Sequence, residues 1–209
     1  MVTPSAPRVC GLVLAAGGSR RLGRPKQLLP YGGATLLDHV LHVARSCAFD
    51  QSLCVVGGAA DGVLAQVDTD GFQVVRNERF GEGCSSSVAA ALTAVQPRMD
   101  VLVLMLGDQP GVRASTIATL LDGLGQAPMA VCRYTDGRGH PLAFARSVFG
   151  DLAALHGDRG VWRLMDRLGD AVAEVPVAGS IPRDVDTWQD YQAVLAAMGP
   201  SQPGPAPQN

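Results

Sequence analysis

The chain has 209 residues, a length that suits one domain with a buried core. Hydrophobic residues make up 47% and the formal net charge is -2, so the composition is globular and offers no broad positive field for nucleic acid. No apolar stretch approaches the roughly 20 residues that a membrane span needs. We therefore expect neither a nucleic-acid partner nor a membrane partner.

Strand-like and helix-like patterns alternate along the first two thirds of the chain. Continuous apolar runs predict strands at residues 9–15, 52–56, 73–76, 101–106 and 130–134. Apolar residues at helical spacing predict helices near residues 35–47, 59–67, 85–95 and 114–124. This alternation predicts an α/β fold, a three-layer α/β/α sandwich with a mostly parallel sheet.

The pattern becomes mixed after residue 134. We predict a short strand at 140–144, helices at 147–155 and 161–168, a late strand at 172–175 and a final helix at 187–198. Thr187 and Asp190 have the spacing of a capping box at the start of that helix. The expected organisation is one domain over 9–198, between a flexible segment at 1–8 and a disordered tail at 199–209.

The five cysteines are odd in number and include no Cys-x-x-Cys pair. This argues against a disulfide framework and against a zinc cluster. A reducing, cytoplasmic location is therefore expected.

A glycine-rich turn follows the first predicted strand and contains the only lysine of the chain. Residues 17–26 read Gly-Gly-Ser-Arg-Arg-Leu-Gly-Arg-Pro-Lys. Ligands bind at the carboxyl ends of the strands in open α/β sheets, and glycine lets backbone N–H groups approach phosphate oxygens. Lys26 offers a point charge, whereas the 16 arginines offer a wide planar fork. The turn predicts a phosphate site, although it fits neither the Walker nor the dinucleotide pattern; a solvated surface turn is the alternative.

A second candidate lies where the apolar run 101–106 ends at Gly107-Asp108-Gln109-Pro110. A carboxylate beside an apolar core is costly unless a cation or hydrogen bonds compensate its charge. Magnesium is usually held by one or two carboxylates plus substrate phosphates, so Asp108 is a candidate metal ligand. The alternative is an aspartate that starts a turn before Pro110.

Several segments together resemble the MobA-like nucleotidyltransferases, a group with the glycosyltransferase-A-like fold, of the nucleotide-diphospho-sugar transferase (Rossmann-like) type. They are Leu14-Ala15-Ala16-Gly17, Arg21-Leu22-Gly23, Pro25-Lys26-Gln27, Gly107-Asp108-Gln109-Pro110, the serine-rich segment 77–87, Gly139-His140-Pro141 and Asp184-Val185-Asp186-Thr187. The resemblance covers residues 9–191, nearly the whole chain.

The resemblance implies a set of site residues. Catalytic roles fall to Arg21 and Lys26, and magnesium ligation falls to Asp108 and Asp186. For Asp186, a role at the start of the last helix is the alternative. The nucleotide would be held by Leu14, Ala15, Ala16, Gly17, Gly18, Lys26 and Ser86. The acceptor substrate would contact Gln109 and His140.

The resemblance also implies a reaction. Ala15-Ala16-Gly17 resembles molybdenum cofactor cytidylyltransferases, whereas the guanylyltransferases of the group usually read Ala-Gly-Gly. We therefore expect magnesium-dependent transfer of CMP from CTP, favoured over GTP, to a molybdopterin-type acceptor, with a molybdenum hydroxylase as a further partner. Four alternatives stay open: another small phosphate acceptor, a non-catalytic delivery protein for molybdenum hydroxylases, a flavodoxin-like binding module, and a hydrolase that uses Cys84 and His140.

Overall fold

The computed structural model describes residues 6–19 and 21–198. Within them the strands are β1 (Val9–Ala15), β2 (Pro30–Tyr31), β3 (Ala34–Thr35), β4 (Gln51–Val56), β5 (Gln73–Arg76), β6 (Val101–Leu106), β7 (Met129–Tyr134), β8 (Gly137–Ala145) and β9 (Val172–Pro176). The α-helices are α1 (Leu36–Ser46), α2 (Ala60–Leu64), α3 (Cys84–Leu92), α4 (Ala114–Leu124), α5 (Phe149–Ala153), α6 (Gly160–Leu168) and α7 (Trp188–Ala197).

Seven strands form one sheet in the order β5-β4-β1-β6-β8-β7-β9. Its pairs are parallel except at β8, which runs antiparallel to both β6 and β7. The predicted mostly parallel sheet is confirmed. The strand predicted at 140–144 is longer, because β8 forms a tight hairpin with β7 in which Tyr134 pairs with Gly137.

The sheet is covered on both faces, as the continuously apolar strands predicted. Alternate residues of β1 point to opposite sides: Val13 joins the core under α1, α2 and α4, and Leu12 joins the core under α3, α5 and α6. Both side chains have no exposed surface. The structure is thus the expected three-layer α/β/α sandwich.

A third, smaller core joins α7 to the β2–β3 hairpin, which the sequence patterns did not predict. Tyr191 packs there with Leu29, and its hydroxyl donates a hydrogen bond to the carbonyl of Pro30 at 2.6 Å. The capping box predicted at the start of the last helix is confirmed, since Thr187 accepts from the backbone N–H of Asp190 and the Asp190 carboxylate accepts in return. This packing places residues 184–186 beside the sheet.

Several predicted helices are shorter in the structure. The helix expected at 147–155 is reduced to α5, that at 59–67 to α2, and that at 85–95 to α3, which begins one residue earlier. Arg8, in the segment expected to be flexible, donates its backbone N–H to Asp100 at 2.8 Å. Residues 1–5 and the tail predicted at 199–209 lie outside the described residues. In the described part of the chain, no helix combines the length and apolar character needed to cross a bilayer.

Candidate active site

A cleft of about 340 Å³ lies at the carboxyl ends of β1 and β6. Five segments line it: the turn after β1, residues 80–87 around the start of α3, the residues that follow β6, Asp158 before α6, and the approach to α7. The convergence follows from the topology, because β1 and β6 are neighbouring parallel strands and end at the same edge of the sheet. Its lining includes Leu14, Ala15, Ala16, Gly17, Gly18, Lys26, Gln27, Phe80, Gly83, Cys84, Ser87, Asp108, Asp158, Asp184 and Asp186.

An ammonium group bridges two carboxylates at this edge. Lys26 Nζ donates to Asp108 Oδ2 and, at 2.8 Å, to Asp186 Oδ1. Arg21 donates to the other oxygen of Asp186 at 2.7 Å from outside the cleft, where its side chain is 67% exposed. Residues separated by up to 165 positions in the chain therefore form one network of four charges. From the sequence we expected a cation to compensate the charge of Asp108, and Lys26 is that cation.

The protonation of the network follows from these contacts. Burial by itself would lower the pKa of Lys26, but the carboxylates of Asp108 and Asp186 outweigh it and raise that pKa above its usual value. The hydrogen bond from Lys26 lowers the pKa of Asp186. Partial desolvation, together with the negative charge of Asp108, raises the pKa of Asp184 to about 6. The ammonium is therefore charged at neutral pH.

The turn after β1 is held open by Gln27, a residue that the sequence interpretation did not select. Its side chain is 3% exposed and donates to the carbonyls of Ala15 at 2.6 Å and Gly17 at 3.1 Å. A side-chain atom added at Gly18 would meet no atom of residues 6–19 and 21–198 within 4 Å, so packing among these residues does not require glycine there. The backbone of this turn therefore has open space beside it that a ligand can occupy.

Gln109 and His140 lie in an adjoining chamber of about 410 Å³ rather than in the lining of the cleft. The chamber shares Cys84, Leu106, Asp158 and Asp184 with the cleft. Burial lowers the pKa of His140 to about 4, so the imidazole is neutral at neutral pH. The predicted acceptor residues thus sit next to the predicted nucleotide residues, in a separate compartment.

The serine-rich start of α3 shows which hydroxyl faces the cleft. Ser86 accepts from Asn77 at 2.9 Å and lies 2.8 Å from the carbonyl of Gly83, and Ser87 rather than Ser86 lines the cleft. Gly83 has φ +98°, and a side chain there would collide with Asp158. The role expected of Ser86 stays a prediction, and Ser87 is the better-placed hydroxyl.

Cys84 and His140, the thiol and imidazole of the hydrolase alternative, both line the adjoining chamber. Burial, with the negative charges of Asp158 and Asp108, raises the pKa of Cys84 to about 11. A nucleophilic cysteine needs a lowered pKa instead. The environment of Cys84 therefore argues against nucleophilic catalysis.

Asp108 and Asp186 fit a divalent metal ion. Their oxygens already share one cationic group, and paired carboxylates supplemented by phosphates are the usual magnesium ligands. No third His, Cys, Asp or Glu completes a metal cluster within residues 6–19 and 21–198. The two aspartates therefore suit an ion that phosphate oxygens help to hold.

Several residues that line the cleft were not predicted as site residues, among them Gln27, Phe80, Asp158 and Asp184. Gln27, Phe80 and Asp184 lie inside motifs used for the resemblance, and residues 157–160, which include Asp158, also fit the family pattern, so the motifs could have found all four. Asp158 lies before α6, and its Oδ1 accepts the backbone N–H of Cys84 at 3.0 Å. No sequence pattern connects these two segments, which are 74 residues apart.

Comparison with known proteins gives consistent results. Residues 11–172 match the MobA-like NTP transferase domain. A crystal structure of the Mycobacterium tuberculosis Rv0371c homolog from Mycobacterium sp. strain JC1 is 54% identical, with a TM-score of 0.86 over 91% of this chain and 96% of that one. Rv0371c of M. tuberculosis in complex with manganese is 45% identical, with a TM-score of 0.80 over 91% of this chain and 99% of that one. The nicotine blue oxidoreductase of Paenarthrobacter nicotinovorans is 32% identical over 71% of this chain and 80% of its own length.

The sheet topology is that of the nucleotide-diphospho-sugar transferase fold, which solved nucleotidyltransferase structures 23% and 19% identical to this chain also have. The chain belongs to the MobA-like NTP transferase family. A nucleoside triphosphate is the substrate that this family implies.

Proposed function

We propose that this protein transfers CMP from CTP to the phosphate of a molybdopterin-type acceptor and releases pyrophosphate. The observation that carries the proposal is the ammonium of Lys26, held between Asp108 and Asp186 beside an open glycine turn. This arrangement concentrates positive charge and paired carboxylates at one point, as phosphoryl chemistry requires.

Magnesium is the proposed cofactor, held by Asp108 and Asp186; when bound, it would supply positive charge against the triphosphate. Manganese in the related Rv0371c structure supports a divalent ion.

The residues of the chain act by positioning and by neutralising charge. Backbone N–H groups of Gly17 and Gly18 bind phosphate oxygens, and Lys26 and Arg21 balance their negative charge. An oxygen of the acceptor phosphate forms a bond to the α-phosphorus, and the bond from that phosphorus to the oxygen bridging the β-phosphate breaks. Pyrophosphate carries away the electron pair. The attacking phosphate is already ionised, so the neutral His140 is not needed as a base.

Two observations support the finer assignments. The CTP preference rests on Ala15-Ala16-Gly17, whose small side chains line the cleft. All five cysteines are free, which suits the reducing cytoplasm that we propose as the location.

The name of the Paenarthrobacter relative suggests a redox activity as the second candidate function. Oxidation of NADH or NADPH by a quinone dye, dependent on this protein, would favour that candidate. Nucleotidyl transfer is preferred because it gives Lys26, Asp108 and Asp186 one shared purpose.

The test is release of pyrophosphate from CTP, GTP, ATP or UTP in the presence of molybdopterin and magnesium. We expect CTP to be the best donor, and Asp108→Asn to lower the rate at least about a hundredfold, because loss of metal charge costs several kcal/mol. Asp122→Asn, an exposed position on α4, is the matched control and should keep the wild-type rate.

Two results would contradict the proposal. Full activity of Asp108→Asn would refute the metal assignment. Binding of CTP without pyrophosphate release from any nucleotide and acceptor would instead support a non-catalytic delivery role.

A further inference from the structure

A groove of about 680 Å³ lies between α1, α7 and the loop that leads into α4. None of its lining residues also lines the catalytic cleft or the adjoining chamber. Its volume is within the range of small-molecule sites. This α1–α7 groove is therefore a place where a ligand other than the nucleotide and the acceptor can bind.

Small side chains on α7 create the space of the groove. Ala193 and Ala197 lie one helical turn apart on α7 and line the groove with methyl groups only. His39 and Val43 lie one turn apart on α1 and line it from the other helix. Val194, which is buried, adds apolar surface between them. The groove thus offers apolar contact to the body of a ligand.

The ionisable side chains that line the groove, apart from one tyrosine, are basic. The lining contains two arginines and two histidines but no Asp or Glu, although the formal net charge of the chain is -2. Arg183 pairs with Asp190 at 3.3 Å, a carboxylate that also accepts from the backbone and hydroxyl of Thr187. Arg113 forms no ion pair with any described residue. Because a guanidinium has five N–H donors, both arginines keep donors for an anion.

Two aromatic rings meet within the lining. The rings of Tyr31 and His39 pack edge to face, with centroids 4.8 Å apart and planes at 69°. Burial, which outweighs a hydrogen bond with the backbone of Pro110, lowers the pKa of His39, so its ring is neutral at neutral pH. An uncharged pair of rings beside two cations favours a ligand that joins an aromatic body to an anionic group.

We infer that the α1–α7 groove binds a small aromatic phosphate that is neither the nucleotide nor the acceptor. Arg113 and Arg183 bind the phosphate, and the ring lies against Tyr31, His39 and the methyl groups of α7. A phosphate offers three oxygens to two guanidinium forks, whereas a carboxylate offers only two, so phosphate is the better match. This site does not depend on the proposed reaction.

The fluorescent compound 1-naphthyl phosphate is a suitable probe, and its anisotropy reports binding to the full chain. We expect saturable binding of one molecule per chain. Without the charge or without the ring the affinity should fall at least about tenfold, so 1-naphthol, and inorganic phosphate used as a competitor, should both bind more weakly. Equally tight binding of 1-naphthoate would overturn the phosphate assignment, and no binding of 1-naphthyl phosphate would overturn the site.

The arginines provide the second readout. Arg113→Gln and Arg183→Gln should each weaken binding of the probe about tenfold, because each removes a charged hydrogen-bond donor. Arg98→Gln, which removes the same charge from an exposed position outside the groove, is the matched control and should keep wild-type affinity. The same affinity in all three variants would overturn the assignment of the arginines.

A pair of alanines on α7 tests the location. Ala193→Leu would fill the groove and should abolish binding of the probe, whereas Ala196→Leu, which lies outside the lining, should not. Both positions are exposed, so both variants should unfold at the wild-type temperature. Equal binding in the two variants would mean that the probe lies elsewhere, and the inferred site would be wrong. CTP turnover plays no part in these measurements, so failure of the proposed reaction would leave their outcome unchanged.

Discussion

Lys26 Nζ contacts two carboxylates at once, a geometry that suits an ammonium better than a guanidinium. A single ammonium can lie between Asp108 and Asp186 and donate to both. A guanidinium is wider, planar and fixed in its donor directions. Lys26 also has little exposed surface, so a larger head group would have to displace its neighbours.

Lys26→Arg is therefore expected to lower the rate of pyrophosphate release at least about tenfold, which corresponds to roughly 1.4 kcal/mol of transition-state stabilisation. The measurement is kcat with CTP at saturating acceptor. Arg98→Lys, an exposed exchange of the same pair of residue types, is the control. An unchanged rate in Lys26→Arg would mean that any cation serves at this position.

The burial of His140 leads to a second prediction for a single residue, which concerns the pH dependence of stability. Burial lowers its pKa from 6.5 to about 4 in the folded protein. Between these values the unfolded chain binds the proton more readily, so the contribution of His140 to stability is complete above pH 6.5 and is lost as pH falls toward 4. The full loss is on the order of 3 kcal/mol.

The measurement is urea unfolding of wild type and His140→Asn at several pH values. The difference in unfolding free energy between them should shrink as pH falls from 6.5 to 4. His42→Asn, on the exposed side of α1, should track the wild type. A difference that does not vary with pH would contradict the assignment to His140.

At the scale of elements, the turn after β1 combines rigid support with open space. Gln27 fixes the carbonyls of Ala15 and Gly17, and the neighbouring strands β4 and β6 hold β1 itself in place. A Cβ added at Gly18 would have no neighbour within 4 Å among the described residues. The turn thus has the open space beside its backbone that the proposed phosphate contact requires.

Gly18→Ala should therefore leave the unfolding free energy within about 0.5 kcal/mol of wild type while weakening CTP binding roughly tenfold, because the added methyl group would stand between backbone and phosphate. Urea unfolding and calorimetric titration with CTP measure the two effects. Gly62→Ala on α2, where an added atom also meets nothing, should keep wild-type affinity. Equal CTP affinity in both variants would refute phosphate contact at Gly18.

At the scale of the whole molecule, the topology brings together groups that are remote in the chain. The two strands that carry the turn and Asp108 are parallel neighbours, so their carboxyl ends meet. The third core, between α7 and the β2–β3 hairpin, then brings Asp186 to the same edge. The antiparallel strand β8 adds Gly139 and His140 to the adjoining chamber.

The sequence by itself determined the three-layer α/β/α sandwich, the mostly parallel sheet and the family. These depend on local features: continuous apolar strands, helical spacing and motifs that can be read within a few residues. The cleft residues Gly17, Lys26 and Asp108 belong to the same category, because each follows a strand at a recognisable motif.

Tertiary structure alone decided how these residues meet. Local pattern contains no information on pairing between distant segments, so the β2–β3 hairpin, the contact between Asp158 and the start of α3, and the Lys26 bridge were visible only after folding. Only the folded structure showed that Ser87, not Ser86, lines the cleft. One step along a helix turns the side chain by about a quarter of a revolution, so neighbouring residues face different directions. The separate chamber around Trp162 likewise depends on α6 packing against β8, not on any motif near Trp162 itself.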